Sequence, residues 1–518
     1  MKKIFTTIIL LVSTSIMIQA AKPRTSLKVS STRKQTVTGF GGACCDGAMK
    51  PFGTDNACVS KLYGAKSKIG LNILRMEISP SFTGDNWGDY DWNGSLPSAQ
   101  IVKKRDGIVF GTPWSPPGEY KTNGTAQGGN ADDQGNQKGK LREDCYDKFF
   151  PWLNTFLKWM KSKGVVMDAV SIQNEPDWWV SYSGCLYEPE EQVTLIKNYA
   201  NLLDREAYDG VRIISAEPLG FRKDYYDALL ADETCREQVD IFAGHIYGHM
   251  PLQYIKPVAQ TALPLGKEVW MTEHSATDNI DHLPNWQDNM IFAQELNECM
   301  LAGCTGYIYW YLRAHWAFCG TGQSWTYRKD NVEYTANSPD NKKDELLPRA
   351  YVMSHFSKNV TGSTRLKTSQ DESAGRTKEE ILQNEQFSAY IKGDSIIVMA
   401  INAREDTRDV KITLPYNVKS GVLWLSTGNE SSKLCQKSNL EDITEPVSDY
   451  LYEMPAQSLN TLIFMIDRGS TAIENVKLSA DDGPKTYYDL QGRRLDDPHG
   501  LCIERSANGD SRKVYMGR

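Results

Sequence analysis

Between residues 39 and 360 the chain alternates two patterns. Short apolar, β-branched runs bounded by Gly, Asn or Pro read as buried strands, and longer stretches with apolar residues at helical spacing read as helices. The strands are "GFGG…ACCDGAM", "KIGLNILRMEIS" (68–79), "GIVFGTPWSPP" (107–117), "DAVSIQNEP", "RIISAEP" (212–218), "IFAGHIY" (241–247), "EVWMTEH" and "GYIYWYL" (306–312). Helices follow, among them "CYDKFFPWLNTFLKWMKSKGV", with Phe149, Leu153, Phe156, Leu157 and Met160 on one face and Gly164 as its C-cap. "PEEQVTLIKNYANLLDRE", "FRKDYYDALL", "PLQYIKPVAQTAL", "WQDNMIFAQELNECMLAG" and a closing "RAYVMSHFSKNV" continue the series. Eight such units predict an α/β chain folded as a (β/α)8 TIM barrel. An open doubly wound sheet is the alternative, but no glycine-rich phosphate loop follows a strand.

After Thr361 the runs become short and alternating: "FSAYIKGDSIIVMAINA", "RDVKITLP", "GVLWLST" and "YLYEMPAQSLNTLIFMI". This predicts an antiparallel β-sandwich side domain. An exposed alternating strand, "SLKVSSTRKQTVT", precedes the barrel and is assigned to the same domain. The expected boundaries are a barrel over 36–361 and a sandwich from 22–35 plus 362–467. A polar linker and tail occupy 468–518. Residues 1–20, with Lys2 and Lys3 ahead of an apolar stretch and a small-residue cleavage site at Ala20, read as a secretory signal. That predicts a secreted, periplasmic or cell-surface protein without a membrane span. Residues 118–143 form a long polar connection directly after a strand, which assigns it to the functional face.

Composition narrows the function. The 518 residues carry a formal charge of −7, with no basic run, so nucleic acid is not an expected partner. Thirteen Trp and 25 Tyr, several in polar loops, suit the apolar faces of sugars. Eleven cysteines are scattered without a CxxC pair, so no zinc ribbon is expected; Cys44–Cys45 and Cys299–Cys304 are the disulfide candidates. "HIYGH", from His245, has helical i,i+4 metal spacing but lies at a strand end, so His245 is assigned to the site floor and neither metal nor cofactor is expected.

Two apolar runs end in a glutamate, Glu175 and Glu273. Their spacing of about three βα units puts them on the fourth and seventh strands, facing one another across the barrel mouth. Paired carboxylates in a Trp-lined cleft suit glycoside hydrolysis, and about 5–5.5 Å between them suits retention of configuration. Asn174 is a donor placed for a sugar hydroxyl. Arg75, at the end of the second strand, and Tyr247, at the end of the sixth, are expected to hold a carboxylate ionised. Trp114, Trp178, Trp310 and Arg313 complete the expected sugar-binding surface.

At these residues the chain resembles glycoside hydrolase family 30, a retaining family, over roughly residues 36 to 465. The motifs are "GFGG", "NILRMEI", "GTPWSPP", "SIQNEPD", "GCLYEPEE", "GHIYG", "WMTEH" and "YVMSHFSK". The resemblance implies a barrel with a side β-sandwich, Glu175 as acid/base and Glu273 as nucleophile. "SIQNEP", "WMTEH" and "GTPWSPP" together are most similar to the bacterial xylanase branch. Its glucuronoxylanases resemble one another in "EHY-x-D-S" and "WYIRR-x-Y", whose Tyr, Ser, second Arg and final Tyr clasp a glucuronate side group. Here those positions hold Ser275, Asp278, Ala314 and Trp316. The bidentate arginine is gone and a negative charge is added. The expectation is therefore a monomeric retaining hydrolase of β-1,4-xylosidic bonds in xylan that does not require glucuronate. A glucuronate-dependent enzyme, with Arg313 reaching the site, is the alternative. A non-catalytic carbohydrate-binding surface protein is the alternative of another class. The tail motif "YDLQGRRL" resembles the C-terminal sorting or anchoring element of many exported bacterial proteins.

Overall fold

The structure is a computed structural model. It describes residues 24–44, 56–81, 92–128, 139–248, 250–275, 284–322, 325–329, 332–336, 342–371, 385–441, 443–468, 486–489, 493–496, 498, 500–505 and 511–516. The expected signal segment, Cys45, His249 and Asp278 lie outside these residues.

Eight parallel strands close into a barrel: β2 (Gly39–Cys44), β3 (Ile73–Ile78), β4 (Ile108–Pro113), β5 (Ala169–Ser171), β6 (Arg212–Ala216), β7 (Ile241–His245), β8 (Glu268–Glu273) and β9 (Gly306–Tyr309), the last pairing with β2. Between them run α1 (Asn56–Leu62), α2 (Leu96–Lys103), α3 (Tyr146–Ser162), α4 (Pro189–Tyr199), α5 (Lys223–Ala231), α6 (Glu233–Gln238), α7 (Pro251–Ala262) and α8 (Trp286–Ala302), and α9 (Pro348–Ser357) closes the ring. Alternation along the strands explains the two apolar layers. Ile73, Phe110, Ala169, Ile214, Ile241, Ala243, Trp270 and Ile308 fill the barrel interior. Their strand neighbours, such as Leu74, Val109, Val170, Ile213, Phe242, Val269 and Tyr307, pack in the larger core with the helices. β2 contributes Gly41, where a Cβ would stand 1.8 Å from the carbonyl oxygen of Ile73, so only glycine lets these backbones approach. Gly164, with φ 80°, follows the end of α3 in the left-handed conformation.

Two features were not legible in the sequence pattern. After β9 the chain forms a hairpin, β10 (Trp325–Lys329) with β11 (Val332–Ala336). Cys299 and Cys304 are buried free thiols and not a disulfide, with burial and the neighbouring Cys304 raising the Cys299 thiol.

A second sheet joins β1 (Arg24–Thr36), β12 (Thr364–Thr368), β13 (Glu385–Lys392), β14 (Ser395–Asn402), β15 (Arg408–Ser426), β16 (Gln436–Asn439), β17 (Val447–Met454) and β18 (Ser458–Ile466). It runs β1-β12-β13-β14-β18-β15, and β1 also pairs with β15. The long β15 makes this possible: its first half lies between β1 and β17, its second between β18 and β16. The strands thus enclose a core that includes Leu27, Phe387, Val398, Ile412 and Phe464. The pairing of β1 with β15 is parallel, a correction to the all-antiparallel expectation. On the opposite face, Tyr390, Ile397, Met399 and Ile401 join the barrel's helical core, and Gln386 bonds Glu298 of α8. Burial on both faces accounts for the unbroken run "SIIVMAIN".

Residues 468–518 form a separate compact unit. Its sheet is antiparallel, in the order β20 (Arg494–Leu495), β19 (Thr486–Tyr488), β21 (Gly500–Arg505), β22 (Ser511–Met516).

Candidate active site

One step above the apolar interior layer, the same strands turn polar. On β3 the inward positions run from Ile73 to Arg75, on β4 from Phe110 to Thr112, and on β7 from Ala243 to His245. Arg75 is fully buried and organises this layer. Its guanidinium bonds a carboxylate oxygen of Glu273, lies 2.7 Å from the side-chain oxygen of Asn174 and 3.4 Å from a carboxylate oxygen of Glu217. It also stacks on Trp114, 4.7 Å from the ring centroid, and Trp114 meets Trp310 at 5.8 Å. Gln173 fixes Trp114 by donating to its carbonyl at 2.6 Å.

The two glutamates reach the site by different backbone devices. On β8, Trp270 points inward and Met271 outward, so strict alternation would turn Glu273 away from the axis. A register shift against β7 lets His245 pair with Glu273 and re-aims the side chain into the mouth. Glu175 lies in the loop after β5, with φ 45°, a left-handed conformation that a glutamate rarely adopts. Hydrogen bonds from Asn174 N to Pro113 O and from Glu175 N to Glu217 O hold that turn.

The carboxylates are nearly buried, Glu175 at 7 % exposure and Glu273 at 6 %, and atoms of Glu175, His245 and Glu273 lie within 4.8 Å of one another. Their surroundings differ. Burial pushes the Glu175 carboxyl up; His245 Nδ1, 2.8 Å from its Oε1, acts against this, and the Glu273 charge adds to it. Glu273 accepts from Arg75 and, at 3.0 Å, from the Tyr247 hydroxyl. Burial, with the two carboxylates, holds Tyr247 well above its ordinary range. Such a pair offers a proton donor beside a separately held nucleophile or base.

Three supporting groups lie beyond the residues that the sequence pattern singles out. Glu217, after β6, is fully buried with φ 55° and accepts from Thr112 at 3.1 Å. Burial alone would raise its carboxyl, but Arg75, His245 and Ser171 bring it down to about 2. Its signal was present, since "RIISAEP" ends in Glu-Pro as "SIQNEP" does. Glu295 of α8 holds His274 at 2.8 Å, and that ring packs on Tyr247 at 4.9 Å. Tyr182, in the loop beyond Glu175, has its hydroxyl held well above the ordinary range by burial and by the charges of Glu175 and Glu273.

The surrounding loops are built on buried charges. Lys121 donates to the carbonyls of Ala126, Gln127 and Gly184 at 2.9, 2.8 and 2.5 Å, tying the described ends of the long loop to the segment after Glu175. Trp178, in that segment, is 52 % exposed, which fits an aromatic platform. Arg313 does not open onto the cleft. It is 1 % exposed and pairs with the partly exposed Asp344 at 2.5 Å, so its expected place among the sugar-binding residues is corrected to an ion pair within the segment after β9. Ala314 is buried, and the main-chain oxygens of Ser275 and Trp316 accept from the Tyr309 hydroxyl at 2.5 and 2.8 Å. Arg349 bonds the same hydroxyl at 2.7 Å.

The chain is similar to known glycoside hydrolases. Residues 144–302 match the family described as glycosyl hydrolase catalytic core. The chain is 24% identical to glucuronoxylanase XynC of Bacillus subtilis over 443 residues, covering 84% of this chain and 90% of that one. Its fold is similar to the family 30 subfamily 8 xylanase Xyn30A of Clostridium acetobutylicum, with 28% identity and a TM-score of 0.66, over 85% of this chain and 99% of that one. A family 30 endoxylanase of Clostridium papyrosolvens aligns at 24% identity and a TM-score of 0.64, over 85% and 100% of the two chains.

Proposed function

We propose that the chain, a glycoside hydrolase similar to family 30 enzymes, cleaves β-1,4-xylosidic bonds of xylan with retention of configuration, Glu175 being the acid/base and Glu273 the nucleophile. The observation that carries this reading is the carboxylate pair, with atoms within 4.8 Å and in unlike surroundings. An approach of single atoms to within 4.8 Å is compatible with the roughly 5–5.5 Å between the carboxyl groups of retaining enzymes. Glu273, gripped by Arg75 and Tyr247, attacks the anomeric carbon. The leaving oxygen takes the proton of Glu175 as its bond to that carbon breaks. Water then attacks the glycosyl ester, giving its proton to Glu175, and Glu273 leaves as a carboxylate. Asn174, held by Arg75, is placed for the sugar hydroxyl next to the anomeric carbon, a contact that strengthens in the transition state.

The proposed substrate is xylan without an obligatory glucuronate group. The Arg313–Asp344 pair and Ala314 support this, because the Arg313 guanidinium is engaged by Asp344 and position 314 offers none to grip a carboxylate bidentately. Glucuronate dependence is the second reading, favoured by the relative named glucuronoxylanase. Digestion of glucuronoxylan beside unsubstituted xylan separates the two. Comparable rates and unordered products are expected, and cuts at a fixed offset from each glucuronate overturn the first reading. Glu273→Gln is expected to abolish hydrolysis, and retained turnover would refute the assignment. The lysines and apolar run of residues 1–20 support export; sequencing the mature N-terminus tests it.

A further inference from the structure

Glu217 has no part in the bond-making steps above, yet it is the most deeply anchored carboxylate of the site. Its Oε2 accepts from Thr112, and its Oε1 stands 3.4 Å from Arg75 Nη2 and 3.8 Å from His245 Nε2. Oε1 and Nε2 are both buried and make no hydrogen bond among the described residues. The other ring nitrogen of His245, Nδ1, is 2.8 Å from Glu175 Oε1. The imidazole therefore spans two carboxyl groups, one at each nitrogen. A neutral ring carries a hydrogen on one nitrogen only; the doubly protonated ring offers one to each carboxyl.

Charge balance leads to the same protonation state. The buried centre holds two groups able to be cationic, Arg75 and His245, and three carboxyls, Glu175, Glu217 and Glu273. With Glu217 and Glu273 ionised and both cations charged, the centre is neutral when Glu175 keeps its proton. A buried cluster of this kind is costly unless its charges cancel. Asp177, Tyr226 and Tyr247 also face these groups. Asp177 is paired at 3.8 Å with Arg222, and burial holds both tyrosines in the phenol form.

We propose that Glu217 is a positioning residue whose fixed negative charge keeps His245 doubly protonated. His245 Nδ1–H then occupies Glu175 Oε1 and leaves the Glu175 proton on the oxygen that meets the leaving group. This rests on Glu175 being the acid/base. Removing the Glu217 charge makes the centre more positive, so its shared proton is lost at lower pH. The alkaline limb of kcat/KM, which marks loss of the acid, must move down in pH.

Two measurements on the full chain test this. In the wild-type protein, ¹⁵N resonances of the imidazoles, with His245 identified by its loss in His245→Gln, are expected to show both ring nitrogens protonated at neutral pH and titration only near the value of about 9 that the surrounding carboxylates impose against burial. A neutral His245 at neutral pH overturns the proposal, and this readout needs no Glu217 variant to fold. In Glu217→Gln, the alkaline limb is expected to fall by about one pH unit or more, with kcat reduced more than KM is raised. Glu217→Asp should restore much of the profile. A folded Glu217→Gln protein with an unmoved limb overturns the proposal. Failure of the underlying function shows differently, as full activity in Glu273→Gln whatever the state of His245.

Discussion

Two adjacent layers of the same barrel obey opposite rules. The lower layer, Ile73, Phe110, Ile214, Trp270 and their neighbours, is wholly apolar, and Phe110 meets Trp270 edge-on at 5.6 Å. The upper layer, two or three residues further along the chain, is buried to a similar degree but holds Arg75, Thr112, His245, Glu217 and Glu273. The lower layer tolerates no charge; the upper one holds several because each finds its counterpart within the layer. Stability should therefore reside in shape below and in pairing above, and activity in the upper layer alone.

The sharpest way to break this comparison is Arg75→Met. It removes the cation shared by Glu273, Glu217 and Asn174, and kcat/KM should fall by roughly a thousandfold or more, with unfolding at lower temperature. Trp270→Ala attacks the lower layer. A cavity of that size should cost about 3–5 kcal/mol of stability by denaturant unfolding, while activity assayed well below the melting temperature stays within about tenfold of wild type. A third change separates the layers by pH. Glu217 is held down to about 2, below an unfolded value of about 4.3, so its contribution is full above the unfolded value and fades as pH falls through the folded one. It amounts to on the order of 3 kcal/mol. The stability gap between wild type and Glu217→Gln should thus narrow on acidification from about pH 5 to about pH 2, while the gap for Trp270→Ala stays nearly level. The smallest effect is expected outside both layers: Trp178→Ala, at the exposed rim, should raise KM for polymer several-fold, about 1 kcal/mol, with unchanged stability.

The alternation that made the barrel legible in the sequence also marks the limit of that legibility. Period-two runs followed by helical spacing name all eight strands, and apolar runs ending in glutamate point to Glu175 and Glu273. Glu217 carries the same Glu-Pro ending, but a two-carboxylate reaction gives a third glutamate no role that the sequence pattern would single out. The bulge at the end of β8 has no local signature; alternation alone turns Glu273 outward. The fate of Arg313 depends on Asp344, a residue in a loop 31 positions away, with φ 62°. The parallel pairing of β1 with β15 joins segments that share no turn, so nothing near either strand announces it.

That pairing has a consequence for how the molecule is made. β1 leads directly into the barrel, yet its partners are β12 and β15, and Lys28 bonds Ser369 across 341 positions of chain. As the polypeptide emerges, this strand stays without its sheet until the whole barrel has been synthesised. The β domain is thus completed by segments that lie on either side of the barrel in the sequence. Such long-range closure makes folding slow and leaves a strand edge open in the interim. Deleting residues 24–36 should therefore damage the yield of folded protein far more than the loss of one peripheral strand would suggest.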